Sequence, residues 1–121
     1  MKPKYNEEFV YQAVLNGDLE ILEDGTIWRL RKRGWDRWKK KAVSRPCKRV
    51  RAEKPCRGYL IVAVMIDGKR VNALAHRLIY RHFRGRIPEG LTINHKEGRE
   101  KHNNRLSNLE TATYSEQMKH A

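Results

Sequence analysis

Leu91-Thr92-Ile93-Asn94-His95-Lys96-Glu97-Gly98 is the stretch on which the reading of this chain turns. Its first residues alternate apolar and polar and predict a short strand, and Lys96-Glu97-Gly98 predicts a loop. An amide and an imidazole therefore stand side by side where strand gives way to loop. Asn108 follows thirteen positions after His95, and Gln117 nine positions after that. Hydrolysis of a phosphodiester needs an activated water, relief of charge on the phosphate and stabilisation of the leaving oxygen. An imidazole can take a proton from water near neutral pH, and side-chain oxygens can hold a hard divalent ion that supplies the rest. On spacing alone this signal is weak, because single histidines are common and amides bind metal less strongly than carboxylates. Ideal alternation also sends Asn94 and His95 to opposite faces, so a shared site requires the strand to end or twist there.

Downstream, Lys96 to Ser107 is a long polar loop holding Gly98, His102, Asn103 and Asn104. Asparagine side chains mimic backbone turns, so Asn103 and Asn104 are assigned mainly to holding this loop together. A last helix is expected from about Thr113. Thr113-Tyr114-Ser115-Glu116 matches a capping box, which gives Glu116 a backbone partner as an alternative to a metal. Gln117 and His120 share a face of that helix.

Upstream, Leu74 to Arg84 fits a helix with Leu74, Ala75, Leu78, Ile79 and Phe83 on one face. His76 sits at the edge of the apolar arc and His82 within it. Gly58 to Ile66 is almost continuously apolar, as a central strand is; Asp67-Gly68 turns the chain, and Lys69 to Ala73 returns antiparallel. Residues 6 to 16 predict a helix capped by Asn6. Leu19–Leu22 and Thr26–Leu30 predict two strands joined at Asp24-Gly25, a strong hairpin signal. The fold class is therefore α+β, a small antiparallel sheet with helices.

Between Arg29 and Arg57 fourteen lysines and arginines face only Asp36 and Glu53. Pro46 and Pro55 discourage regular structure here, and Trp35 and Trp38 lie inside the basic run. A solvated charged loop is the bland reading. The functional reading is a DNA-binding arm, in which Arg31, Arg33, Arg37, Lys39, Lys40 and Lys41 contact phosphates and the indoles wedge against bases or sugars, or anchor the loop. The whole chain agrees: 121 residues carry a net charge of +13, which favours a polyanionic partner. Ribosomal and membrane-surface proteins share such a charge. No apolar run is long enough to span a membrane, and the N-terminus lacks the apolar core of a signal peptide, so a cytoplasmic setting is expected. Cys47 and Cys56 form no CxxC pair. Two free thiols are the expected state, with a disulfide or a histidine-completed zinc as the alternatives.

Taken together, His76-Arg77-Leu78, Ile93-Asn94-His95-Lys96-Glu97-Gly98, Asn103-Asn104-Arg105-Leu106-Ser107-Asn108-Leu109-Glu110 and Ser115-Glu116-Gln117-Met118-Lys119-His120-Ala121 resemble the HNH endonucleases, in the phage and intron-encoded homing branch. The likeness covers roughly residues 57 to 121 in order. It implies a C-terminal ββα-metal motif: two antiparallel strands with an intervening loop, packed on a helix. It makes His95 the general base, Asn108 the residue that orients its imidazole, and Asn94 and Gln117 the ligands of one Mg²⁺ or Mn²⁺ ion, without structural zinc. Gln117 departs from the Asn or His usual there, and Glu116 or His120 is the alternative ligand. Arg77, Lys96, Arg99 and Arg105 join the DNA-binding residues. The resemblance implies a phage-encoded enzyme acting on double-stranded DNA, with no membrane or small-molecule partner. A monomer would nick; a homodimer would be needed for a double-strand break. Residues 1–57 are read as helix, hairpin and basic arm, and 58–121 as nuclease core, in one compact unit. The rival reading is a DNA-binding protein that keeps this scaffold without catalysis.

Overall fold

The computed structural model describes residues 4–66, 69–99 and 102–113. Asn6 opens the first helix as the sequence predicts. Its side chain accepts from the Phe9 amide at 3.3 Å, satisfying one of the donors that a helix N-terminus leaves open. Helix α1 (Glu7–Leu15) then buries Val10 and Ala13, and Gly17, at φ +84°, lets the chain reverse. The short strand before it, β1 (Lys4–Tyr5), was not foreseen; it runs parallel to a later strand and pairs Lys4 with Val71.

Asp24-Gly25 makes the expected hairpin between β2 (Leu19–Ile21) and β3 (Ile27–Asp36), with Ile21 opposite Ile27. The basic arm is more regular than its prolines suggest. Strand β3 pairs along its length with β4 (Lys41–Arg51), forming a long antiparallel ribbon, and β5 (Glu53–Cys56) comes directly after it. Two facts explain how strands accommodate Pro46 and Pro55. Both lie on edge strands, where a missing N–H leaves no neighbour unpaired. Pro46 also sits opposite Arg31, immediately after a register shift between Arg29 and Arg31, and such bulges tolerate proline.

The apolar run becomes β6 (Tyr59–Ile66), flanked by β5 and by β7 (Lys69–Leu74) in a sheet of order β1-β7-β6-β5. Its central place matches the sequence reading; the Asp67-Gly68 turn itself lies outside the described residues. Helix α2 (Ala75–Arg84) continues from β7 without a gap, buries Ala75, His76, Leu78 and Ile79, and ends at Gly85. Arg77 and Arg81 tie it to α1, donating to Glu7 at 2.6 Å and to Glu8 at 2.8 Å. Strands β8 (Leu91–His95) and β9 (Leu109–Thr113) form a separate antiparallel pair, joined through a 3₁₀ turn at Leu106–Asn108. Val10, Ile27, Val62, Leu78, Ile79 and Ile93 are the largest fully buried apolar side chains among the described residues and belong to one hydrophobic cluster. Ile93, in the middle of β8, thus fixes the strand that carries His95 to the same core as α1 and β6. Among the described residues no helix is long and apolar enough to cross a membrane.

Candidate active site

The register from Leu91–Thr113 to His95–Leu109 makes His95 the last paired residue of β8. Strict alternation holds to that point. Ile93 and His95 face inward, with exposures of 1% and 4%. Asn94 faces outward, and its Nδ2 lies 3.5 Å from the carboxylate of Glu110, its cross-strand partner. The strand therefore places the two neighbours on opposite faces, as the pleat requires.

Beyond His95 the chain enters a loop held by amides. The Lys96 amide donates to the Asn108 carbonyl at 2.7 Å and closes the loop at its base. The buried Asn108 side chain joins both limbs: its Oδ1 accepts from the Glu97 amide at 3.0 Å, and its Nδ2 donates to the Asn103 carbonyl at 2.8 Å. The loop in turn delivers Asn104, 2% exposed, whose Oδ1 is 2.7 Å from Nε2 of His95. With the Asn104 oxygen as acceptor, Nε2 is the ring nitrogen that donates in this bond.

This division of labour was only partly visible in the sequence. Asn103 and Asn104 both read as loop-holders. The structure gives Asn103 such a bond, to the Arg105 amide at 3.3 Å, but sends the amide of Asn104 to the imidazole. Asn108, expected to orient His95, spends its side chain on Glu97 and Asn103 and so acts on the loop that carries Asn104. Which of two adjacent asparagines turns inward depends on the loop path, which one-dimensional spacing does not encode.

Two further rings back the imidazole. His76, at the start of α2, lies 4.8 Å from His95 between ring centroids, and Tyr59, at the start of β6, lies 6.0 Å from it. His76 is 4% exposed, and burial, with the charges of His95 and Arg77, pushes its pKa down to about 3. His76 is thus a neutral side chain packed behind the His95 ring.

Asn94 and Glu110 present hard oxygens on adjacent strands at the outer face. Among the described residues no group of three or more His, Cys, Asp or Glu side chains comes together. An amide and carboxylate donor set suits a hard divalent cation. Gln117, with Glu116 and His120, lies outside the described residues. Both cysteines are free.

The cations divide into two sets. Some are tied to the scaffold: Arg29 donates to the Ala63 carbonyl at 2.8 Å, Arg31 pairs with Asp18 at 4.0 Å, and Arg77 bonds Glu7. Others stand in solvent. Arg37, Lys39, Lys40 and Lys41 are exposed at the ribbon tip beside Trp38, which is 96% exposed, and Lys96, Arg99 and Arg105 are exposed around the His95 loop. The tip is shaped by Asp36, whose Oδ1 accepts from the Trp38 and Lys39 amides at 2.9 and 3.0 Å. Those bonds, the Lys39 amide foremost, hold its carboxyl below the usual range. The side chains of Arg33 and Trp35 lie outside the described residues.

Residues 73–119 match the family model described as HNH endonuclease. The matched segment contains α2, β8, the amide loop and β9, with His76, Asn94, His95, Asn104 and Asn108 among its residues. Over these residues the chain is similar to the HNH endonuclease family. The chain is also similar to a solved structure on DNA binding and cleavage by the HNH homing endonuclease I-HmuI. The two share 25% sequence identity with a TM-score of 0.56, over 86% of this chain and 51% of that one. The chain thus spans about half the length of that HNH enzyme. Among curated proteins no sequence matches it.

Proposed function

We propose that this protein is a DNA endonuclease of the HNH type that hydrolyses phosphodiester bonds with His95 as general base. The observation that carries the reading is the buried bond from His95 Nε2 to Asn104 Oδ1 at the end of β8, inside the HNH segment. A base must offer a lone pair in a fixed direction, and the bond to Asn104 fixes the direction of the imidazole. Nδ1 of His95 receives the proton of the attacking water. Asn104 keeps the ring in that tautomer and orientation, and Asn108 keeps Asn104 in place.

Asn94, with Gln117 on the succeeding segment, would hold a divalent cation, Mg²⁺ or Mn²⁺, and Glu110 supplies a carboxylate beside Asn94. When bound, that ion relieves charge on the phosphate and on the departing 3′ oxygen. The products are a 5′-phosphate and a 3′-hydroxyl. The exposed lysines and Arg37 of the β3–β4 tip, with Lys96, Arg99 and Arg105 around the loop, hold the DNA backbone. Arg31 and Arg77, already paired with Asp18 and Glu7, contribute less to that grip. A single such site breaks one strand, so a monomer nicks.

The test uses supercoiled plasmid with Mg²⁺, with Mn²⁺, or with chelator alone. Wild-type protein should convert it to the open circle only with metal. His95→Ala should slow that conversion by about 10²–10⁴-fold, the usual contribution of a general base, while binding the plasmid equally well. Equal DNA binding with no cleavage by either protein under any metal would replace this reading with a second one, a DNA-binding protein on an HNH scaffold. One observation favours that alternative: His95 is 4% exposed and faces away from Asn94.

A further inference from the structure

Gly25 forms the tip of the β2–β3 hairpin, far ahead in sequence of the loop that holds His95, yet the two touch. Gly25 is buried and has φ +86°. A Cβ placed on it would lie 2.4 Å from the Asn104 carbonyl carbon, 2.5 Å from the Arg105 amide nitrogen and 2.8 Å from the Asn104 carbonyl oxygen. The peptide leaving Asn104 therefore lies flat against the hairpin tip, in space that only glycine leaves open. The same peptide belongs to the residue whose side chain holds Nε2 of His95.

The hairpin tip is itself braced. Thr26 donates its hydroxyl hydrogen to Asp24 Oδ1 at 2.5 Å, and its backbone amide donates to the same oxygen at 3.0 Å. Trp28 Nε1 donates to the Thr26 hydroxyl at 2.9 Å. Arg49, on the ribbon strand β4, stacks over the Trp28 ring with its guanidinium carbon 4.2 Å from the centroid. Those bonds hold Asp24 below the usual carboxylate range, the Thr26 hydroxyl contributing most, with Arg51 and Arg105 adding to it. A contiguous set of contacts thus runs from the basic ribbon through Trp28, Thr26 and Asp24 to the surface on which the Asn104 peptide rests.

We propose that the β2–β3 turn positions the catalytic base: Gly25 seats the Asn104–Arg105 peptide, and this seat aims the Asn104 amide at His95. Gly25 is a positioning residue, which acts through the Asn104–Arg105 peptide. A methyl group there forces the loop back by about 1 Å before ordinary contact is restored. A shift of that size at a catalytic group costs about a hundredfold in rate. The inference rests on the nuclease reading for its kinetic consequence and not for its structural one.

The experiment compares Gly25→Ala with Gly17→Ala. Gly17 has the same backbone strain, φ +84°, but nothing within 4 Å of its would-be Cβ, so it is the control for strain without contact. Two quantities are read. The first is the nitrogen and hydrogen chemical shifts of the His95 imidazole by NMR, which need no activity. The second is single-turnover cleavage at saturating DNA. Gly25→Ala should displace the His95 Nε2–H signal and lower the maximal rate by about a hundredfold with DNA affinity within about twofold of wild type. Gly17→Ala should leave both at the wild-type values. Combining Gly25→Ala with Asn104→Ala should slow the reaction no more than Asn104→Ala does alone, because both act through one amide.

If Gly25→Ala does not fold, Thr26→Val removes the clamp on the turn without adding a clash, and should displace the same His95 signal and lower the rate about tenfold. An unmoved His95 signal in the folded variant, or equal losses in Gly25→Ala and Gly17→Ala, would overturn the proposal. If wild-type protein cuts no DNA, the nuclease reading fails, and the imidazole shifts alone decide whether Gly25 seats the loop.

Discussion

At the β8–β9 corner, His95, Asn104 and Asn108 are buried and commit polar atoms to one another and to the backbone. Along the β3–β4 ribbon, the cations of the tip stand in water, and backbone pairing sets their order. The difference reflects what each region is asked to do. A buried polar atom without a partner costs about 1–3 kcal/mol, so an interior network is held to one geometry and responds sharply to any single loss. Exposed cations cost nothing to leave unpaired, adapt to a flexible polyanion, and weaken with salt. On the proposed function, the first region places a proton acceptor and the second grips a charged backbone.

The contrast can be broken most severely at Asn104. Asn104→Ala removes the acceptor from His95 Nε2, so the maximal cleavage rate should fall by about a hundredfold while the Kd for DNA stays near the wild-type value. Asn104→Asp, which still offers an oxygen to Nε2, should recover part of the loss. An unchanged rate in Asn104→Ala would show that the amide does not orient the base.

A smaller effect is expected from His76, which packs behind the same ring. Burial lowers its folded-state pKa to about 3 from an ordinary 6.5. The folded protein then stays unprotonated where the unfolded chain takes up a proton. Stability from this group is complete above about pH 6.5 and falls as pH drops toward 3, by about 2 kcal/mol at pH 5. Denaturant titrations between pH 7 and 4 should show a shallower pH dependence in His76→Phe than in wild type. Parallel curves would mean that His76 is protonated in the folded state.

At the ribbon, Lys39→Ala, Lys40→Ala and Lys41→Ala combined should reduce the slope of log K against log salt by about 0.9 for each phosphate contact removed, with thermal stability unchanged. An unaltered slope would assign the three lysines to solvent alone. Trp38, almost wholly exposed, should matter least: Trp38→Ala should weaken DNA binding by about tenfold or less and leave Tm in place. A large loss of stability would show that the indole anchors the ribbon.

Much of this architecture could be read from local sequence because local chemistry determines it. Asn6 caps α1, Asp24-Gly25 turns β2 into β3, the apolar run 59–66 takes a central place, and Leu91 to His95 forms a short strand. The ribbon was harder to foresee, since Pro46 and Pro55 argue locally against strand. Their tolerance comes from edge positions and a bulge, which exist only once the neighbouring strands are in place. The same holds inside the candidate site. His95 could be found from its place at a strand end, but Asn104's bond to it depends on a loop folded over Asn108 and seated on Gly25. Contacts between residues so far apart in sequence leave no trace in spacing.

The separation of chemistry from grip is tested most directly by measuring two constants, the maximal single-turnover cleavage rate and the Kd for DNA, in His95→Ala and in the Lys39, Lys40, Lys41 triple-alanine variant. The account predicts opposite outcomes: His95→Ala loses about 10²–10⁴-fold in rate and keeps its Kd, whereas the triple variant loses affinity and keeps its rate once DNA is saturating. Rate and affinity falling together in both variants, or His95→Ala cutting at the wild-type rate, would contradict it.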